Sequence, residues 1–164
     1  MTLCPPLRRL SADHARWLAE LARPAGAEGG GGRLLALWDA EIQPHCRAEE
    51  EVLLPELARR LSEADAVIVF TSGDHLVLRQ LVRDLRAATG PAAKVAAAAL
   101  AGRLVEHLQF EERTLLPALQ QALGCDRLAA LQPELGAAGS SRTSRPADEP
   151  PVTHAASRTK GTMS

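Results

Sequence analysis

The sequence predicts an all-α protein in which two antiparallel helix pairs form a four-helix bundle. Hydrophobic residues make up 46% of the 164 residues, yet aromatic residues make up only 2% and tyrosine does not occur. A core of Leu, Ala and Val favours helices over sheets, which prefer β-branched and aromatic residues. Apolar residues recur every three or four positions along four segments, and the two halves of the chain resemble each other.

The first half predicts two helices. Ser11 is a candidate N-cap of the first helix, which ends before Pro24 and the glycine-rich loop that follows it. The second helix is expected to run from about Arg33. Pro44 should bend this helix slightly, and Pro55 should end or kink it before a last turn.

The second half predicts two more helices of the same kind. The third helix is expected to begin between Ala64 and Ser72 and to continue to about Ala88. The fourth runs from about Ala92 to Leu123. Four amphipathic helices of this length are enough to enclose one core.

A closing helix and a tail complete the predicted organisation. Asp126 is a candidate cap for a short closing helix, after which the composition changes at Pro133 to Pro, Gly, Ser and charged residues. Such a segment buries too little apolar surface to offset its ordering entropy. We therefore predict a helical bundle over residues 1–132 and a disordered tail over residues 133–164, with His154 solvated.

Charge and cysteine content narrow the functional class. The net charge of −1 argues against a nucleic-acid binder or a membrane-surface binder. No segment approaches the ~18 apolar residues of a membrane span, and the first residues lack a signal region. Cys4, Cys46 and Cys125 are widely spaced, which indicates reduced thiols and not a disulfide framework. These observations predict a cytoplasmic protein.

The internal repeat carries every histidine outside the tail. Ser-Ala-Asp-His14 matches Ser-Gly-Asp-His75, 61 residues later. His45-x-x-x-Glu49 matches His107-x-x-x-Glu111, 62 residues later. Each half therefore supplies one helix with a histidine and one helix with a His–Glu pair.

The spacing within each His–Glu pair points to metal binding. Residues four apart on a helix share one face and lie about 6 Å apart along the axis. That face is also the apolar one, so the repeat directs four imidazoles and two carboxylates into one core. Burying an unpaired carboxylate costs several kcal/mol, and a metal cation removes this cost.

The number of donors suggests two ions. Six ligands are too many for one tetrahedral zinc. If both glutamates bridge, each ion receives two imidazole nitrogens and two carboxylate oxygens. A bridging oxo or hydroxo group then leaves one open position on each ion. This donor set suits two non-haem iron ions, although manganese or zinc could also enter.

These motifs resemble the hemerythrin-like HHE cation-binding domain. The resemblance extends over roughly Leu10 to Gln132 and includes the Glu-Glu-x-x-Leu-x-Pro segments that follow the paired motifs. It implies an up-down-up-down four-helix bundle, the architecture of myohemerythrin. It also implies two iron ions bridged by both glutamates. The implied ligands are His14, His45, Glu49, His75, His107 and Glu111.

The sequence departs from some branches of this family. Oxygen-carrying hemerythrins have a second histidine where this chain has Arg79, and an aspartate five residues after the last histidine where this chain has Glu111 at four. The set of four histidines and two glutamates is similar to bacterial proteins implicated in iron–sulfur repair and nitric oxide response. Those proteins carry an N-terminal cysteine pair that this chain lacks, and iron-sensing relatives have a carboxylate where this chain has Cys46. Specific activities therefore do not transfer.

Polar residues beside the six donors have simpler interpretations. Glu50 and Glu112 are rotated about 100° from the paired glutamates, which favours solvated surface over a hydrogen bond to a ligand imidazole. Asp13 and Asp74 are explained by the dipole at helix starts. Cys46 is expected to be a buried structural thiol. Arg79 should extend to the bundle end, with attraction of an anion or a diatomic molecule as the alternative.

The leading hypothesis is a non-haem di-iron protein that binds or reacts with a small ligand. Dioxygen, nitric oxide and peroxide are candidate ligands, and iron storage or delivery is also open. The alternatives are an iron or redox sensor that acts through a protein partner, and a metal-free helical interaction module. The sequence leaves open whether the protein is an enzyme, which redox partner it uses, and whether it is a monomer or a homodimer.

Overall fold

The computed structural model describes residues 2–62 and 65–140, which form five helical rods and no strand within those ranges. The predicted all-α bundle with a closing helix is confirmed. The first rod is α1 (Pro5–Leu21), and the second contains α2 (Gly30–Leu37), α3 (Gln43–Ala48) and α4 (Leu54–Ala58). The third rod is α5 (Ala66–Ala87), and the fourth contains α6 (Gly90–Phe110) and α7 (Leu116–Ala130). The fifth is α8 (Gln132–Ser140). Helix α1 packs against α6 and α7, and α2 and α5 pack against α6.

Three π-helical turns interrupt the second and fourth rods without breaking them. They are π1 (Trp38–Ile42), π2 (Glu49–Leu53) and π3 (Glu111–Leu115). Pro44, Pro55 and Pro117 each follow one of these turns by two residues. A proline has no N–H for the carbonyl four residues back, and its ring clashes with that carbonyl. That carbonyl belongs to the middle residue of each π turn, where the wider winding relieves the clash. The predicted bend at Pro44 and the predicted kink at Pro55 therefore take the form of π turns.

The first helix begins earlier than predicted. Pro5 and Pro6 occupy its first turn, and Cys4 precedes it. Proline suits that turn because the missing N–H has no intrahelical partner there. The prediction of Ser11 as N-cap is therefore wrong. Its hydroxyl instead donates a hydrogen bond to Oε2 of Glu112 at 2.9 Å.

Two apolar clusters fill the bundle. The first, here called the disulfide-end core, includes Leu7, Leu53, Leu57, Leu115 and Leu119. The second, here called the loop-end core, includes Trp17, Trp38, Leu78, Leu100 and Leu104. Along α1 and α5, the buried histidines lie between residues of the two clusters. A polar layer thus separates two apolar ones. Among the described helices, none combines the length and apolar character that a membrane crossing requires.

The cysteines correct one prediction. Cys4 and Cys125 form a disulfide across 121 residues, with their Cα atoms 5.5 Å apart, and only Cys46 is free. The expectation that all three are reduced thiols is therefore wrong. Disulfides are rare in the cytosol, so this bond removes the support that the cysteines gave to a cytoplasmic location. Wide spacing in sequence did not prevent the pairing, because α7 returns to the start of α1.

The predicted start of the disordered tail at Pro133 also needs correction. Residues 132–140 form α8, which packs against α3. Ala138 is buried and Leu135 contacts the disulfide-end core. These two apolar residues lie three apart on one face of α8, and that face packs against the bundle. The remaining predicted tail, including His154, lies outside the described residues.

Gly124 should be intolerant of a side chain. It kinks α7 with φ of 72° and ψ of 167°, a conformation that is essentially restricted to glycine. We expect Gly124→Ala to lower the free energy of unfolding by about 1–3 kcal/mol, measured by urea denaturation. Gly102→Ala is the control, since Gly102 lies inside α6 with open space where a methyl group would be added. The control should raise stability by about 0.5–1 kcal/mol, and an equal response of both variants would contradict this account.

Reduction of the disulfide should destabilise the bundle. The bond closes a loop of more than 100 residues, and such cross-links typically contribute about 2–4 kcal/mol. Urea denaturation with and without reductant measures the difference. Cys125→Ser should respond like the reduced wild type and should not change further when reductant is added. Identical curves for the oxidised and reduced wild type would contradict the prediction.

Candidate metal centre

All six sequence-predicted donors meet in the polar layer between the two apolar cores. Each histidine comes from a different helix, and each glutamate is the first residue of a π turn. The side chains are buried: five of the residues are at most 1% exposed, and His45 is 8% exposed. The residues are His14 (α1), His45 (α3), Glu49 (π2), His75 (α5), His107 (α6) and Glu111 (π3).

The first donor group contains His14, His45 and Glu111. The two Nε2 atoms lie 3.2 Å apart. Oε2 of Glu111 lies 3.3 Å from Nε2 of His14 and 3.6 Å from Nε2 of His45. The centre of such a triangle is about 2 Å from each atom, which is the length of a metal–nitrogen or metal–oxygen bond.

The second donor group contains Cys46, Glu49, His75 and His107, with one candidate atom of each residue within 4.8 Å of the others. Oε2 of Glu49 lies 3.3 Å from Nε2 of His75. Glu111 reaches this group as well, since its Oε1 lies 2.8 Å from Nε2 of His107. Imidazole, carboxylate and thiol donors thus converge on a second position.

Both glutamates face the two groups at once. Glu49 directs Oε1 to His45 at 3.3 Å and Oε2 to His75 at 3.3 Å. Glu111 directs Oε2 to the first group and Oε1 to the second. This is the arrangement that a bridging carboxylate requires, and it supports the prediction that both glutamates bridge.

The donor atoms point at common centres more than at one another. Despite the short separations, several buried atoms have no hydrogen bond of acceptable geometry within the described part of the chain. They include both oxygens of Glu49, both oxygens of Glu111, and Nε2 of His75 and of His107. Leaving a buried polar atom unsatisfied costs about 1–3 kcal/mol, and more if it is charged. Cations between the two groups would satisfy all of these atoms, so the residues fit a pair of metal ions.

The histidines and glutamates of the polar layer shift one another's pKa values. Burial alone would lower the pKa of His45 and of His107, but neighbouring carboxylates raise both pKa values well above the ordinary value: Glu49 and Glu111 at His45, and Glu111 and Asp74 at His107. Burial would likewise raise the pKa of Glu111, but His107 and the other imidazoles hold it well below its usual range. Protons and metal cations therefore compete for the same nitrogens, and metal affinity should fall as the pH falls.

Two outer glutamates hold the histidine rings across the halves of the repeat. Nδ1 of His14 lies 2.7 Å from Oε1 of Glu112, and Nδ1 of His75 lies 2.9 Å from Oε1 of Glu50. An Nδ1–H that donates to a carboxylate leaves the lone pair on Nε2, which faces the donor groups. The prediction of solvated surface for Glu50 and Glu112 is therefore wrong, and each carboxylate instead forms a hydrogen bond with the imidazole of a predicted ligand.

Arg79 holds Glu50 in place. Its Nη1 and Nη2 donate hydrogen bonds of 2.9 and 2.7 Å to the two carboxylate oxygens. Burial would raise the pKa of Glu50, but His75 and Arg79 lower it to about 2. Arg79 thus orients an outer carboxylate and does not extend to the bundle end.

Asp74 lies within ion-pair distance of a third histidine, although the two facing atoms form no hydrogen bond of acceptable geometry within the described residues. Its Oδ2 lies 2.9 Å from Nδ1 of His107, and Arg103 pairs with its other oxygen. The helix dipole does not account for this buried aspartate. Asp13 is its counterpart in the first half, but its side chain is 47% exposed and pairs with Arg16 at 2.9 Å. The two halves therefore differ around their histidines.

A surface groove of about 260 Å³ reaches the first donor group. Its lining includes Trp17, Pro44, His45, Ala48 and Leu135. The ring of Trp17 meets that of His45 edge-on, with centroids 5.0 Å apart. His45 is the one donor of the six that borders this groove, which explains its higher exposure.

A known family model matches most of the chain. The family model of the hemerythrin HHE cation-binding domain matches residues 6–119, more than two thirds of the chain. No significant match is found among curated proteins or among solved structures. The matched range contains all six predicted donors together with Glu50, Asp74 and Glu112.

Removing an outer carboxylate should weaken metal binding. Glu112→Ala deletes the acceptor that holds His14, and the loss of such a partner typically lowers metal affinity 10–100-fold. Competition with a chelator of known affinity measures the change. Glu51→Ala is the control, because Glu51 lies in a π turn but is exposed. Equal affinities of the two variants would show that Glu112 does not support the centre.

Proposed function

Because the chain belongs to the hemerythrin HHE cation-binding domain family, we propose that it is a non-haem di-iron protein. Its centre binds or reacts with a small ligand, which is dioxygen, nitric oxide or peroxide, or it handles iron itself. The proposed ligands are the six residues of the polar layer. One observation carries the proposal: four imidazoles and two carboxylates converge on two positions, and both carboxylates and the Nε2 atoms of His75 and His107 have no hydrogen-bond partner within the described residues.

The two donor groups define the two proposed ions. His14 and His45 would hold one ion, and His75 and His107 would hold the other. Glu49 and Glu111 would contribute to both, since each directs one oxygen to each group. Mixed imidazole and carboxylate ligation suits iron and leaves manganese or zinc as competitors.

Bound iron would supply open coordination positions and a reversible change of oxidation state. The chain supplies the surroundings. Its two apolar cores keep water from the layer on either side, Glu50 and Glu112 orient the rings of His75 and His14, and Asp74 lies 2.9 Å from Nδ1 of His107. The groove at His45 borders the first position, and we expect a small molecule to approach the centre from this side.

The proposed partners are the small ligand or iron, together with a redox partner of unidentified nature. A location in the cytoplasm remains a prediction, which the Cys4–Cys125 disulfide counts against.

Metal content provides the direct test. Protein purified without oxygen should contain two iron ions per chain, and exposure to oxygen and to nitric oxide should each change its optical spectrum. Glu49→Ala or Glu111→Ala removes a proposed bridge, so each variant should lose most of its iron. Elemental analysis and absorption spectroscopy measure both effects.

Glu106→Ala is the matched control, because this exposed residue lies directly before His107 on α6. It should retain both ions. Full iron content in both bridge variants would contradict the bridging roles. A wild-type protein without metal would contradict the proposal as a whole and favour the metal-free interaction module.

A further inference from the structure

We propose that Cys46 is a seventh protein ligand and binds the ion held by His75 and His107. The two metal positions would then differ in chemistry, with sulfur at one position only. This inference rests on the proposed di-metal centre, since a thiol needs an ion to bind.

Helix geometry directs neighbouring residues to different ions. His45 and Cys46 are consecutive on α3, so their side chains are rotated by about 100° from each other. His45 belongs to the first donor group and Cys46 to the second. One turn of α3 at the centre of the bundle thus contributes to both groups.

The surroundings of the thiol match those of a ligand. Cys46 is fully buried, and a candidate donor atom of each of Glu49, His75 and His107 lies within 4.8 Å of Sγ. Donors on a single ion are about 3–4 Å apart, so a small adjustment suffices. Among these neighbours, Nε2 of His75, Nε2 of His107 and both oxygens of Glu49 are buried and have no hydrogen-bond partner within the described residues.

Binding would exchange the proton of the thiol for the metal ion. When the thiol binds, the S–H bond breaks, the proton passes to solvent, and the sulfur electron pair forms the bond to the metal. No change of oxidation state is involved.

The internal repeat shows that the thiol occurs on one side only. The residue equivalent to Cys46 in the second half is Leu108, 62 positions later, and it is fully buried. The first donor group therefore lacks sulfur and borders the groove through His45. A soft thiolate would make the second position the stronger site for zinc or cobalt, and the first would remain the position for a small ligand.

Metal–sulfur bonding is the measurement that tests this inference. X-ray absorption of the zinc-loaded full chain should show a sulfur shell at about 2.3 Å beside the nitrogen and oxygen shell at about 2.0–2.1 Å. With one thiolate for two ions, the average should be about half a sulfur per zinc. The cobalt-loaded protein should show a thiolate-to-metal charge-transfer band in the near ultraviolet.

Two variants isolate the source of the sulfur. Cys46→Ser should keep two ions and lose both the sulfur shell and the charge-transfer band. The double variant Cys4→Ser, Cys125→Ser leaves Cys46 as the only cysteine in the chain and should keep both signals. If Cys46→Ser does not fold, the double variant still tests the proposal, because any sulfur signal that it shows must come from Cys46.

The outcomes separate this inference from the function on which it rests. Two bound ions without sulfur in the wild type would overturn the role of Cys46 and leave the di-metal proposal intact. A sulfur signal that persists in Cys46→Ser would also overturn it. Failure to bind zinc, cobalt and iron would overturn both.

Discussion

The fold depends on two carboxylates in the middle of an apolar bundle. Glu49 and Glu111 are at most 1% exposed, and each is surrounded by imidazoles from both halves of the chain. Charges that deep are tolerated only beside positive charge, whether it comes from protons on the rings or from metal ions. The four helices that carry the histidines must therefore keep a register in which the four imidazoles surround the two glutamates. The apolar cores on either side stabilise that register without specifying it.

The prolines contribute to this register from outside the centre. Pro55 and Pro117 lie six residues after the glutamates and widen the helix into π turns that begin at Glu49 and Glu111. A π turn rotates the side chains that follow it about the helix axis, relative to those that precede it. Each rod can therefore present a donor to the polar layer and still present Leu53 or Leu115 to the disulfide-end core. The prolines and the glutamates belong to one local arrangement, repeated in both halves.

The internal repeat was sufficient to predict the helices and to bring six donors together, because their spacing coincides with the apolar stripe of each helix. Three features were not predictable in this way. The roles of Glu50 and Glu112 depend on contacts with the opposite half of the bundle, which helical rotation alone does not give. The Cys4–Cys125 bond joins positions whose proximity is visible only after α7 has turned at Gly124. Helix α8 has few apolar residues, and its order comes from the surface on which it packs.

The disulfide makes almost the whole bundle a covalent ring. Every donor of the polar layer, including Cys46, lies between Cys4 and Cys125 along the chain. A single cut of the backbone in the loop between α1 and α2 would therefore leave one connected molecule, with His14 still tethered to the other donors. While the bond remains oxidised, proteolysis at one exposed loop does not by itself release any part of the centre.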